Sequence, residues 1–247
     1  APMPEGATAV YRLAPAVVAA SLLAALLVVP VSAAGPGLGL GSDALVLLGL
    51  LALALLAVAA ASWDTGSGFA LMGASRDLTL SVFVEATLVL ALGVAALTAG
   101  TTDLRGIVAG TSGGDAWTRP ALALGAIAFA LVVLAETGRQ PVDNPDTHLE
   151  LTMIHEGPLL EYAGRDLAYL HWAAAARHWL VLVLAAQVFL PHPEGTTAQL
   201  ATLLVALVLL CAGLALTETL VAKLRVLLVP RLLAAGAVAA LLGIAVL

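Results

Sequence analysis

The sequence predicts an all-α fold, a polytopic bundle of about seven transmembrane helices. Of its 247 residues, 62% are hydrophobic and only 11% are charged, whereas a soluble domain is about half apolar and a quarter charged. The mean hydropathy is +1.06, and the apolar residues fall into runs close to the ~20 residues that cross a bilayer. Lipid is therefore the expected solvent, and residues 1–247 are expected to form one transmembrane domain.

Seven apolar runs are expected to span the membrane. They are residues 13–34, 44–62, 78–100, 120–136, 168–190, 200–220 and 231–247. The fourth run is short and ends at an acidic residue. The fifth is interrupted by His171, Arg177 and His178, so its pattern is the least regular of the seven.

The basic residues are distributed unequally between the two sides of this bundle. One side holds Arg12, Arg76, Arg139, Arg165, Lys223 and Arg225, with Arg177 and Arg231 just inside neighbouring spans; the other holds Arg105 and Arg119. Positive residues favour the cytoplasmic side, so we expect a multi-pass protein of the cell inner (plasma) membrane. Segments 63–77 and 137–167 then become cytoplasmic loops, and their charge makes them the expected working surface.

Composition argues against several classes of function. The net charge of -6 and the ten scattered basic residues do not suit a nucleic-acid partner. Cys211 is the only cysteine, so no disulfide, cysteine-based zinc site or iron–sulfur cluster is expected. The histidines lack a metal-binding pattern, and no metal site is predicted.

The segment 137–167 carries a short helix in this interpretation. Asn144-Pro145 suits a helix start and Gly157-Pro158 a stop, which predicts a helix over 145–156. Asp146 and Glu150 would share one face of it, and His148 and His155 another. Such stacked carboxylates facing a cavity could exchange protons near neutral pH, although on spacing alone a solvated acidic loop is the simpler interpretation.

Three more acids lie at membrane depth or at its border, namely Glu85, Glu136 and Glu218. A charge at the centre of a lipid-facing helix costs ~2.5–3.5 kcal/mol, so such groups normally face the bundle interior or pair with a cation. The sequence around Glu85 holds no counter-ion, which favours a functional role. For Glu136 and Glu218, a side chain reaching the membrane surface is an equally good interpretation.

The motif Glu136-Thr-x-Arg139-x-Pro141-x-Asp143-x-Pro145, followed by Glu161-Tyr162-Ala163-Gly164, resembles the signature of the respiratory complex I subunit 1 family. The variant over 143–156 is most similar to the membrane subunit of group 4 [NiFe] hydrogenases, the hydrogenase-4 and formate hydrogenlyase type. His148 stands where complex I members usually have Glu. The family also has an additional first span, and we expect that span to precede Ala1.

The resemblance implies a non-redox subunit that anchors a soluble redox arm to the membrane and couples it to proton movement. On this resemblance, no catalytic centre is expected within the chain itself. The implied partners are hydrogenase-like large and small subunits and an iron–sulfur subunit on the cytoplasmic side, and antiporter-like membrane subunits. The [NiFe] centre and iron–sulfur clusters would lie in those partners, and a quinone is allowed but not favoured.

The resemblance, together with the buried acids, assigns roles to named residues. The expected proton path holds Glu85, Glu136, Asp143, Asp146, Glu150, Glu156, Glu161 and Glu218. The expected charge partners are Arg139, Arg76, Lys223 and Arg225, with Arg139 neutralising part of the acidic loop. The expected docking residues are Asp64, Arg76, Asp77, His148 and His155. Three alternatives stay open: a quinone-reducing complex, a purely structural anchor, and a stand-alone transporter, although no internal repeat supports the last.

Overall fold

The computed structural model describes residues 7–31, 41–113, 118–143, 154–193, 195–222, 224 and 228–247. Within these ranges the chain forms eight α-helices and a 3-10 turn at Gly157–Leu159. The helices are α1 (Ala9–Val28), α2 (Asp43–Thr65), α3 (Gly68–Ala99), α4 (Leu104–Thr111), α5 (Pro120–Glu136), α6 (Gly164–Phe189), α7 (Thr196–Leu220) and α8 (Val229–Ala245). The predicted all-α fold class is confirmed.

Each of the seven expected spans overlaps a helix of the described residues. Five of the described helices are long and apolar enough to cross a membrane, namely α1, α2, α3, α6 and α7, while α5 and α8 are apolar but shorter. The charged residues in the fifth run do not break it, because α6 is continuous from Gly164 to Phe189. The chain is therefore a multi-pass membrane protein.

Segment 63–77, expected to be a loop, is helical except at Gly66 and Ser67. The expectation was wrong because Gly66 takes a left-handed conformation, with φ of 65°, which ends α2 abruptly and lets α3 begin two residues later. Segment 101–119 lies between α3 and α5. It contains α4, whose first turn is capped by Asp103 through a 3.1 Å bond from the backbone N–H of Gly106.

Two groups of three helices make up the bundle. In the first group, α3, α5 and α8 pack against one another. In the second, α1 packs against α2 and α6. Contacts between α2 and α3 and between α5 and α6 join the two groups, and α7 contacts α6 at the edge of the bundle. Small residues permit this close packing. At Gly243 in α8, an added Cβ would lie 3.0 Å from the carbonyl oxygen of Ala121 in α5.

One end of the bundle gathers several charged contacts between the described segments. We call it the charged end and define it by Asp64, Asp77, Arg139, His155 and Glu218. It contains the start of α1, the α2–α3 turn, the end of α5, the start of α6 and the end of α7. The connecting segments that the sequence marked as functional therefore meet at one end of the molecule.

Candidate functional site

A cavity of about 410 Å³ opens inside the charged end. One wall is apolar and comes from α1 and α2, including Val18, Leu22 and Leu55. The ionisable side chains in its lining are Asp77, Glu136, Arg139, Asp143, His155, Glu156, His171, Arg177 and His178. Apolar and ionisable surfaces therefore face each other across a space large enough for water or a small ligand.

The deepest ion pair of the cavity joins Arg177 to Glu136. Arg177 Nε lies 2.9 Å from Glu136 Oε2, and the two side chains are 21% and 7% exposed. Arg177 also donates a long hydrogen bond of 3.4 Å to the carbonyl oxygen of Leu51 on α2. The pair thus fixes the end of α5 to the middle of α6, and each charge has an opposite charge that offsets part of its desolvation.

Glu85, on α3, interacts electrostatically with this pair. Arg177 on α6 attracts its charge and Glu136 on α5 repels it. Its Oε1 atom is buried, and none of the described residues hydrogen-bonds to that atom. Glu85 is not among the described residues that line the cavity.

His155 pairs with Asp77 at the cavity wall, with His155 Nδ1 3.3 Å from Asp77 Oδ1. Burial alone would lower the pKa of His155. The hydrogen bond from the imidazole to Asp77, with the negative charges of Asp77, Asp143 and Glu136, outweighs burial and raises that pKa above its ordinary value of 6.5. The imidazole therefore holds a proton more strongly than a solvated histidine would.

Asp143 is nearly buried, with 7% of its surface exposed. Its Oδ2 accepts a 3.4 Å hydrogen bond from the backbone N–H of Ile154, and its own N–H donates to the carbonyl oxygen of Arg139 at 3.2 Å. Asp143 therefore connects the two described ends of the acidic loop. Residues 154–156, the described part of the expected helix over 145–156, form a bend and not a helix.

Arg139 was expected to neutralise part of the acidic loop. Its guanidinium instead pairs with Glu218 at the end of α7. Its Nη1 lies 3.0 Å from Oε1 and 3.3 Å from Oε2 of that residue. The backbone N–H of Leu224 also donates to the carbonyl oxygen of Pro141 at 2.9 Å. The segment that follows α5 is thus attached to the segment that ends α7.

Asp64 acts as a cap for another helix. Its carboxylate accepts hydrogen bonds from Thr8 N, Thr8 Oγ1 and Tyr11 N at 2.7, 2.8 and 3.1 Å, which satisfies donors in the first turn of α1. Tyr11 stacks on Tyr162 with ring centroids 4.4 Å apart, and its hydroxyl donates to the carbonyl oxygen of Glu161. Burial raises the pKa of Tyr162, and the charges of Tyr11, Asp166 and Asp64 nearby raise it further.

The remaining predicted site residues lie in different places. Glu156 lines the cavity, Glu161 contributes its carbonyl oxygen to Tyr11, and Arg76 lies in the first part of α3. Asp146, His148, Glu150, Lys223 and Arg225 fall outside the described residues.

Sequence reasoning missed Arg177, His171 and His178 as members of the site. The signal was present, because an arginine within an apolar run normally pairs with an acid on another helix. Glu85 and Glu136 were the available acids. What the sequence could not provide was which of them Arg177 meets.

The fold and the cavity define a class of protein: a multi-pass helical membrane protein with an ionisable cavity at one end and buried acids beside it. The family model for NADH dehydrogenase matches residues 2–247, and the chain belongs to that family.

Its relatives are subunits of larger membrane complexes. Formate hydrogenlyase subunit 4 of Escherichia coli is 34% identical over 240 residues, covering 94% of this chain and 77% of the relative. Hydrogenase-4 component C of Escherichia coli is 40% identical over 148 residues, covering 59% of this chain and 45% of the relative.

The quinone-reductase branch matches over a shorter region. The H subunit of the NADH-quinone oxidoreductase of Chlorobaculum parvum is 33% identical over 137 residues, covering 53% of this chain and 37% of the relative. Among solved structures, the archaeal membrane-bound sulfane sulfur reductase superposes with a TM-score of 0.81 at 21% identity. That match covers 96% of this chain and 79% of the other, and it shows a shared fold.

Proposed function

We propose that this chain is the membrane-anchoring and proton-coupling subunit of a hydrogenase-like, complex I-related oxidoreductase. In this role it binds a soluble redox arm on the cytoplasmic side of the inner membrane and passes protonation changes toward antiporter-like subunits. The [NiFe] centre and iron–sulfur clusters would belong to the partners. The match to formate hydrogenlyase subunit 4 over most of both chains supports the hydrogenase-like branch.

The single observation that carries the proposal is the arrangement of the cavity. Asp77 and His155 lie in its wall, and Asp143 connects the two ends of the acidic loop beside them. The Arg177–Glu136 pair also lines the cavity, and the charges of that pair act on Glu85. Ionisable side chains thus lead from the charged end toward a carboxyl group on a membrane-spanning helix, as a proton path requires.

The outer surface of the charged end suits docking. Trp63, Phe69 and Met72 around the α2–α3 turn, and Leu160 after the 3-10 turn, are 58%, 49%, 44% and 50% exposed. Apolar side chains at the border of a charged region are common where proteins bind one another. Asp64, which the sequence analysis assigned to docking, caps α1 and would stabilise the backbone of this surface.

The test uses the assembled complex in liposomes, with electrons supplied by a reduced viologen and proton movement followed with a pH-sensitive dye. Glu136→Gln is expected to reduce proton translocation at least about tenfold while electron transfer continues. Asp166→Asn, beside Arg165 on the partly exposed start of α6, is the matched control and should leave both rates unchanged. Undiminished translocation in Glu136→Gln would reject the proton path and favour a purely structural anchor.

A second candidate is a quinone site, which the apolar wall of the cavity favours. A quinone would supply the electron acceptor, while His155 and Arg139 could donate hydrogen bonds to its head group and Leu22 and Leu55 could pack against its tail. Leu22→Trp should then reduce quinone-dependent electron transfer and leave viologen-dependent electron transfer unchanged. Equal rates with and without added quinone would reject this candidate.

A further inference from the structure

We propose that residues 154–160, which we call the wall segment, form a pH-sensitive gate on the cavity. The wall segment lies closed on α3 while His155 is protonated, and it moves away from α3 when His155 loses its proton. This inference goes beyond the proposed function and does not depend on it, because it concerns the conformation of this chain alone. Its basis is geometric: both ends of the wall segment are fixed, and its middle meets α3 through a glycine contact and an ion pair.

The ends of the wall segment are attached to other parts of the molecule. At one end, Ile154 is fully buried, and its N–H donates a 3.4 Å hydrogen bond to Asp143 Oδ2. Just beyond the other end, the carbonyl oxygen of Glu161 accepts a 2.6 Å hydrogen bond from the hydroxyl of Tyr11, and Tyr162 stacks on the Tyr11 ring. The middle of the segment can therefore move while both ends stay in place, as the hinges of a lid do.

The middle of the wall segment meets α3 at two places. A Cβ added to Gly157 would lie 2.9 Å from Gly73 Cα, so the two backbones touch, and neither glycine has a side chain to interlock. The second place is the ion pair between His155 Nδ1 and Asp77 Oδ1 at 3.3 Å. Among the described residues, this pair is the charged contact that ties the wall segment to α3.

The imidazole of His155 bridges α3 and the segment that follows α5. A Cβ added to Gly138 would lie 2.9 Å from His155 Cδ2, so the ring contacts Gly138 and Asp77 at once. The His155 side chain is nevertheless 41% exposed, so water reaches it and protons can enter and leave. Because His155 and Leu159 both line the cavity, a displacement of the wall segment would widen it.

The charges around the imidazole determine the direction of the pH effect. Burial acts against the charged imidazole, but the hydrogen bond to Asp77 and the negative charges of Asp77, Asp143 and Glu136 outweigh it and raise the pKa of His155. Closing therefore takes up a proton, and a rise in pH favours the open conformation. The other titratable and charged side chains that line the cavity are Arg139 of the segment after α5, Glu156 of the wall segment, and His171, Arg177 and His178 of α6.

A neutral imidazole weakens the closed conformation in two ways. Its hydrogen bond to Asp77 loses the assistance of the positive charge, and the acids at the wall lose a cation that offsets their repulsion. The two arginines of the cavity contact other carboxylates, since Arg139 pairs with Glu218 and Arg177 with Glu136. The charge of His155 is thus the one that changes with pH at the contact between the wall segment and α3.

The test measures access to the cavity side of the wall segment at different pH values. It uses the full chain in nanodiscs, with Cys211, the only cysteine, replaced by Ala. One variant carries Leu159→Cys, at a position that lines the cavity. Its matched control carries Leu160→Cys, at the neighbouring position, which is 50% exposed. The ratio of their reaction rates with a membrane-impermeant thiol reagent removes the ordinary pH dependence of a thiol and measures opening.

The ratio of the Leu159→Cys rate to the Leu160→Cys rate is expected to rise with pH, by about tenfold for each unit by which closing raises the His155 pKa. In a His155→Gln background, the ratio should be high and the same at every pH. In an Asp77→Asn background, the rise should occur at lower pH, because the protonated imidazole has lost its carboxylate partner. His171→Gln, which changes another histidine of the cavity, is the control and should leave the rise where it is.

A ratio that stays constant across the range in which histidine titrates would overturn the proposal. An unchanged rise in both His155→Gln and Asp77→Asn would also overturn it, because the pH dependence would then come from other groups. Size-exclusion chromatography and circular dichroism establish that each variant is folded. If His155→Gln does not fold, the shift expected in Asp77→Asn decides the test.

Discussion

Arg177 on α6 meets Glu136, the last residue of α5, with 2.9 Å between Nε and Oε2. The contact joins two membrane-associated helices through opposite charges in a region where charges are costly. The charges of both groups act on Glu85 of α3, whose buried Oε1 atom accepts no hydrogen bond from the described residues.

The Arg177–Glu136 pair predicts unequal costs for two similar substitutions. Glu136→Gln leaves the guanidinium without the carboxylate that it contacts, and we expect the free energy of unfolding to fall by about 3–5 kcal/mol. Glu85→Gln keeps the pair and should cost little. Denaturation in a mixed-micelle titration measures both variants. Equal losses for the two variants would contradict the prediction.

The His155–Asp77 pair predicts a pH dependence. A raised pKa means that the protonated imidazole stabilises the folded state fully at pH below about 6.5, and that this contribution is lost as the pH rises through the raised pKa. Asp77→Asn removes the principal partner, so the His155 midpoint in an NMR titration should fall. Asp166→Asn should not move it. An unchanged midpoint in Asp77→Asn would show that Asp77 does not hold the proton on His155.

The Arg139–Glu218 pair predicts a small coupling energy that depends on salt. Its side chains are 39% and 28% exposed, so solvent screens their attraction, and we expect a double-mutant-cycle coupling of roughly 0.5–1 kcal/mol that shrinks at high ionic strength. The Arg165–Asp166 pair, at 3.6 Å and more exposed, is the comparison and should show no measurable coupling. A larger coupling energy that does not change with salt would contradict this prediction, because it would mean that solvent does not screen the pair.

The close contact between Gly73 of α3 and the 3-10 turn at Gly157–Leu159 can be tested by adding a methyl group. A Cβ added there would lie 2.7 Å from Pro158 Cδ and 2.9 Å from Gly157 Cα, so Gly73→Ala should displace the 3-10 turn and cost about 1–3 kcal/mol. Gly93→Ala, on the same helix with nothing within 4 Å of the added atom, should be neutral or slightly stabilising. Equal unfolding midpoints for the two variants would contradict this contact.

Asp64 predicts a local effect at the start of α1. Asp64→Ala removes the acceptor for three donors from Thr8 and Tyr11, so the amides of the first turn should exchange hydrogen for deuterium several-fold faster. Peptides from α8 should be unaffected, which provides an internal reference. Unaltered exchange at Tyr11 would mean that the cap contributes nothing to α1.

The sequence was informative about elements whose cause is local. The apolar run 120–136 was predicted with the observed bounds of α5, because Pro120 starts a helix and the polar motif after Glu136 ends the apolar stretch. The prediction of a loop over 63–77 was wrong because the break between α2 and α3 depends on a single left-handed glycine, Gly66. Among site residues, Asp77 and His155 were selected for docking, but their contact with each other was not foreseen.

Composition and periodicity by themselves determined that this protein is a helical bundle in lipid, and the motif after α5 determined its family, because both depend on residues close together in the chain. Only the tertiary structure decided which charges meet: Arg177 with Glu136, Arg139 with Glu218, and Asp64 with the first turn of α1. The physical reason is that an ion pair between helices depends on how each helix is rotated and placed against its neighbours. That arrangement is fixed by packing over the whole bundle and is not encoded in any one segment.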